Sequence, residues 1–219
     1  MIHWLSGFLM VVAMIILIAA PIVIHIAVQK RRTAWMQQAA EELRFEFFPQ
    51  GDGETLSMLS PFLLFSRGNR KRVQNLMQGV ADQLQVKIFD YSYFSAGKQG
   101  SNAPNQTVIC FRSPNLDLPN FWLQPRSFLD RFGPLLGQRE IVIDGRPKFS
   151  KVYLLHGASE SAVRQLFHDG ALNFYEQNSG LTTEGRGFDL LIYRAEVLVK
   201  PERVRSFLEE GFKVLDLFR

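Results

Sequence analysis

The run from Trp4 to Val28, WLSGFLMVVAMIILIAAPIVIHIAV, constrains this chain most, because it carries no Lys, Arg, Asp or Glu and is followed by Lys30-Arg31-Arg32. The hydrocarbon core of a bilayer is about 30 Å thick and a helix rises about 1.5 Å per residue, so about 20 mostly apolar residues suffice to cross it. The 25 residues here meet that length. Pro21 is costly inside a helix in water but tolerated in a bilayer, where neighbouring groups re-satisfy the freed carbonyl. A cleaved leader is the competing reading. It needs a basic start, a shorter apolar core and a small-residue cleavage site, whereas Met1-Ile2-His3 holds no Lys or Arg and the cations follow the run. The sequence therefore predicts a transmembrane anchor with a basic flank over residues 1–32, a helical stalk over 33–43 and a domain over 44–219. Cations resist translocation. Lys30, Arg31 and Arg32 thus predict a single-pass inner-membrane protein with its N-terminus outside and its domain in the cytoplasm. The single cysteine, Cys110, agrees with a reducing compartment.

At 47% hydrophobic and 12% aromatic, with 19 Phe, the composition is that of a folded chain with an aromatic core. The formal charge of +4 could suggest nucleic acid, but three of the basic residues sit at positions 30–32. Without them the basic excess falls to one, whereas a nucleic-acid binder should show a basic stripe on the domain itself, so nucleic acid is not an expected partner. The expected partners are the lipid bilayer and a protein of unknown identity.

Along the domain, Arg44 to Phe48 alternates as a strand does, and Pro49 to Glu54 is a turn cluster. Leu56 to Phe65 reads as a helical turn and a packed segment. Arg70–Gln78 and Leu84–Phe94 read as the arms of a hairpin, with Ala81-Asp82-Gln83 as its turn. Residues 96–105 read as a loop, and Gln106–Ser113 and Phe121–Leu123 as strands. Ser127–Phe132 reads as a short helix stopped by Gly133-Pro134. Two further strands are expected at Glu140–Ile143 and Lys151–His156, joined by a turn at Asp144-Gly145-Arg146-Pro147. Ser159 suits the N-cap of a helix through Phe167, and another helix follows to about Glu176. A last hairpin turns at Gly185-Arg186-Gly187. Pro201 opens a final helix, on which Val204, Phe207, Leu208, Phe212, Leu215 and Phe218 recur at helical spacing. The expected fold is α+β, a mostly antiparallel sheet with helices on one side and a C-terminal amphipathic helix.

Several segments in order, Phe89 to Tyr93 (FDYSY), Gln106 to Val108 (QTV), Leu118 to Pro125 (LPNFWLQP) and Phe149 to Leu154 (FSKVYL), resemble a family of uncharacterised bacterial single-pass membrane-anchored proteins. The likeness covers about residues 70–195. It implies a bacterial source and an anchored cytoplasmic domain, and it brings no activity, cofactor or catalytic residue.

Asp90, Tyr91 and Tyr93 form either a polar site at a strand end or, as the simpler reading, a turn cap or an ion pair with a nearby Arg. Cys110 is a nucleophile only with His156 or His168 as its base, and it lies between Ile109 and Phe111, where small buried thiols are common. His156, Glu160, His168 and Asp169 fit no metal-ligand spacing, and no metal or cofactor is expected. The run Arg67-Gly68-Asn69-Arg70-Lys71-Arg72 is the best candidate contact, with Arg67, Arg70, Lys71 and Arg72 available to anionic lipid or an acidic partner. The residues thus favour a non-catalytic protein- or lipid-interaction module. The alternative is a membrane-tethered, hydrolase-like enzyme built from Asp90, Cys110, His156 and His168.

Overall fold

One helix, α1 (Ile2–Leu43), runs unbroken for 42 residues through the apolar run, the basic residues and the Gln- and Glu-rich turns after them. The computed structural model describes residues 2–94, 105–128 and 140–219, giving for residues 2–13, 15, 16, 18 and 128 the backbone alone. α1 ends at Arg44, whose φ is +58°. There the Arg44 N–H donates to the Glu41 carbonyl at 3.0 Å and the Phe45 N–H to the Ala40 carbonyl at 2.9 Å, the paired bonds of a Schellman stop.

The chain then enters β1 (Glu46–Phe48) and two short helices, α2 (Gly53–Leu59) and α3 (Leu63–Ser66). A long hairpin follows, β2 (Asn69–Ala81) and β3 (Leu84–Phe94), then β4 (Asn105–Arg112) and β5 (Leu118–Pro125). After residue 140 come α4 (Pro147–Val152), β6 (Tyr153–Gly157), α5 (Glu160–Leu166) and α6 (Asp169–Gln177). β7 (Thr182–Gly187), β8 (Asp189–Tyr193) and α7 (Val204–Asp216) complete the described chain. The described strands form one sheet in the order β1-β2-β3-β4-β8-β7-β5-β6, and every pairing is antiparallel.

Strand alternation divides the core in two. On one face Ile88, Ile109, Phe111, Leu123, Leu155 and Ile192 pack against Met36 and Ala40 of α1, Val163 of α5, Leu172 and Tyr175 of α6, and Phe207 and Leu215 of α7. α7 comes close because Gly211 faces β4, where an added Cβ would lie 3.0 Å from Ile109 and 3.2 Å from Phe111. On the other face Phe89, Tyr91, Val108, Leu191 and Tyr193 pack against Leu59, Phe62, Leu64 and Phe65 of α2, α3 and their junction. Helices therefore cover both faces, where the sequence suggested one.

The membrane expectation is overturned. Among the described residues no helix is long and apolar enough to cross a membrane. α1 does not divide at the basic residues into a span and a free stalk. It continues through them, and its last turns pack on the sheet, with Met36 and Ala40 fully buried. The transmembrane anchor over 1–32, the single-pass inner-membrane localisation and the N-outside topology fall with it.

Two local corrections have clear causes. Pro147 opens a helix at its first turn, a position suited to its fixed φ, so the expected strand at Lys151–His156 starts only at Tyr153. Residues 140–143 form no strand, although the Ile141 N–H donates to the Leu155 carbonyl at 2.7 Å. The loop expected over 96–105 and the helix over 127–132, with its Gly133-Pro134 stop, lie mostly outside the described residues.

Candidate ligand-binding cleft

Arg32 and Asp90, 58 residues apart, meet where α1 crosses the β3–β4 pair. The Arg32 Nε and Nη2 donate to the two Asp90 oxygens, each at 2.7 Å, a bidentate fork that fixes both planes. Asn75 Nδ2 and Thr107 Oγ1 each donate to Asp90 at 2.8 Å, so the carboxylate accepts four hydrogen bonds. Arg32 Nη1 also donates to the Val199 carbonyl at 3.0 Å, and the Val199 N–H returns to Thr107 Oγ1 at 2.9 Å. Asn75 reaches Asp90 from an irregular stretch of β2 between Gln74 and Met77, where its φ is +50°. This network clamps α1, three strands and the segment before α7 at one point.

Above the clamp α1 leaves the sheet, and a cleft of about 930 Å³ opens between them. The helix wall starts apolar, with Pro21, Ile22 and Ile26, and turns polar through His25, Gln29, Lys30 and Thr33. The opposite wall is polar, made by Arg72, Gln74, Ser92 and Asn105. Lys30 on the helix and Arg72 on β2 bring a cation from each side. The volume lies in the range of small-molecule sites, about 300–1,000 Å³.

The cations singled out in the sequence separate into different roles. In the first group Lys30 lines the cleft, Arg31 lies 4.6 Å over the Trp35 ring, and Arg32 is the clamp. In the second group Arg72 lines the cleft, Lys71 is half-buried, and Arg70 lies 5.9 Å over the Phe94 ring. Arg67 is half-buried beside the second core, where its charge pulls down the Tyr93 and Tyr193 phenols against the larger upward push of burial.

The four residues of the enzyme reading do not assemble. Asp90 lies on the α1 face of the sheet, and Cys110 belongs to the core of the opposite face. Cys110 is 1% exposed, and burial pushes its thiol well above the ordinary range. His156 alternates onto the same face as Cys110, but β8, β7 and β5 stand between their strands, a separation of about 19 Å by four strand spacings. There the His156 ring stacks on Trp122 at 4.7 Å. His168 caps α6, its Nδ1 accepting from the Gly170 N–H at 3.0 Å, with its Nε2 3.0 Å from the Leu217 carbonyl. Among the described residues no group of three or more His, Cys, Asp or Glu could hold a metal ion.

Sequence reasoning missed Glu184, the most enclosed carboxylate of the second face. It accepts from the N–H groups of Leu63 at 2.7 Å and Leu64 at 3.1 Å, and from the Tyr193 hydroxyl at 2.8 Å. Burial raises its carboxyl above the usual range, and these three hydrogen bonds oppose that shift. Its position after Thr182 and Thr183 marks a strand, but nothing in the sequence says which face it takes.

No family model matches the chain, and no curated protein does. A solved structure similar in fold is the crystal structure of the mycobacterial trehalose monomycolate transport factor A, TtfA. The two superpose with a TM-score of 0.61 at 13% identity, covering 87% of this chain and 94% of that one. The likeness is one of fold, an α+β domain arranged on the same plan.

Proposed function

We propose that this chain is a non-catalytic binding module that takes an anionic amphiphile in the cleft beside α1. The carrying observation is the cleft's mixed chemistry: an apolar stretch of the helix wall, Pro21, Ile22 and Ile26, adjoins polar residues of both walls, with Lys30 and Arg72 on opposite sides. An alkyl chain would lie along the helix and remove exposed apolar surface from water, at about 25 cal/mol per Å². An anionic head would meet Lys30 and Arg72, while Gln74 and Ser92 offer hydrogen bonds. The fold neighbour is by its title a trehalose monomycolate transport factor, which lies in the same direction.

Calorimetric titration of the full chain with single-chain amphiphiles below their micelle concentrations tests this reading. Dodecyl phosphate is expected to bind about 10-fold or more tighter than dodecyl maltoside, and a Lys30→Glu, Arg72→Glu double variant is expected to erase that preference. Equal binding of both amphiphiles, or an unchanged preference in the double variant, would contradict it.

A further inference from the structure

A second groove lies at the other end of α1, below the clamp. Its volume is about 780 Å³, and Leu43, Phe45, Val80, Leu84, Leu208 and Phe212 supply its apolar lining. Arg44 and Arg219 line it as well, against a single acidic residue, Asp82, on the hairpin turn. Three further observations bear on what it holds.

The first is an open strand edge. β1 pairs with β2 only from Leu76 to Gln78, whereas β2 goes on through Gly79, Val80 and Ala81 paired with β3 alone. By antiparallel alternation Val80 turns its N–H and C=O outward to the groove with no strand beside it, while Gly79 and Ala81 turn theirs to β3 and the Phe45 ring lies against Gly79. The second is Val80, which is 74% exposed although it lies in a strand of an otherwise well-buried sheet. The third is Arg44. It sits at φ +58°, the left-handed stop of α1 where glycine or asparagine is usual. The chain carries a long cation at a position where its backbone is strained, and that cation lines the groove.

We propose that this groove docks an extended, acidic peptide segment of a partner protein, laid beside Gly79–Ala81 as an added strand. The guest's backbone pairs with the outward N–H and C=O of Val80, which an acyl chain cannot do. Alternate apolar side chains of the guest fill the lining around Phe45 and Phe212. Its carboxylate is held toward Arg44 and Arg219 and away from Asp82, which sets the direction of the guest. The surface is separate from the amphiphile cleft, so either assignment can fail without the other.

A displayed library of random twelve-residue peptides, panned on the immobilised full chain, tests the assignment. The expected binders alternate apolar residues and carry Asp or Glu toward one end. Val80→Asp is expected to weaken them about 10-fold or more, because the side chain is exposed and the fold does not depend on it. Arg44→Gly is expected to weaken them about 3- to 10-fold while the melting temperature stays equal or rises, since glycine relieves the left-handed strain. Enrichment of basic peptides, no enrichment at all, or binders indifferent to both variants would overturn the proposal. So would displacement of an environment-sensitive probe at Val80→Cys by dodecyl phosphate and by none of the selected peptides.

Discussion

The two halves of α1 invert what their residue types suggest. In the first half Leu17, Ile22, Val23, Ile24 and Val28 are apolar and largely exposed, Leu17 to 78%. In the second half a cation, Arg32, is turned inward to a buried carboxylate, beside the buried Met36 and Ala40. The domain holds the inward face of the second half, where Arg32, Met36 and Ala40 each meet the domain, while Gln37 and Gln38 on the outer face bond only to Glu41 and Glu42 of the same helix. It leaves the first half available, with the cleft at the boundary between them. The helix is thus held near Arg32 to Ala40 as structure, while around Ile22 to Val28 it presents apolar side chains as surface.

The largest effect should come from breaking the hold. Asp90→Ala leaves the Arg32 guanidinium without its counter-ion and strips Asn75 and Thr107 of their acceptor. Removing one partner of a buried pair typically costs about 3–5 kcal/mol, which chemical denaturation will read. Met36→Ala should follow, at about 2–5 kcal/mol, as a fully buried side chain is emptied into a cavity. Leu17→Ala, on the same helix, should move stability by less than about 0.5 kcal/mol. A large loss at Leu17 would break the division between the halves, and a small loss at Asp90 would break the clamp.

The two faces of the sheet sharpen the same contrast. The face under α1 and α7 is largely apolar, with the clamp and the buried Tyr175–Thr183 hydroxyl pair at 2.6 Å as its polar contacts, whereas the face under α2 and α3 is stitched by more polar groups. There the buried Lys87 donates to Thr55 Oγ1 at 2.8 Å, and Glu184 holds the start of α3. Glu184→Gln should cost about 1–3 kcal/mol, because an amide cannot accept at both positions. The pH dependence has a definite sign. The folded state raises the Glu184 carboxyl above its ordinary value of 4.5, so the folded state binds that proton more tightly than the unfolded one. Its contribution is complete below pH 4.5 and declines as pH rises through the raised folded value. Urea midpoints of the parent should show that decline, and those of Glu184→Gln should lack it.

Much of the sheet was legible because its signals are local. The alternation in Leu84–Phe94, Ser159 before α5 and the helical spacing from Val204 to Phe218 each sit within a few residues of what they specify. The clamp was not legible. Asp90 reads equally as a turn cap or as the partner of an Arg, and its partner lies on α1, in a triplet of cations whose setting suggests the cytoplasmic side of a membrane. No sequence periodicity links positions 32 and 90. The same limit applies to the basic run at 67–72. A count of cations cannot show that Arg67 turns toward a core, Arg70 lies over Phe94 and Arg72 lines a cleft. Pro147 is different, since proline at the first helical turn is a local signal and the turn reading passed over it.

The account depends on α1 being fixed against the sheet so that the cleft has two walls. Spin labels at Ile26→Cys and Ser92→Cys, on opposite walls, report this directly, because the native thiol of Cys110 is buried and out of reach of the label. The account predicts one narrow distance distribution, broadened when Asp90→Ala removes the clamp. A distribution already broad with Asp90 in place would contradict it.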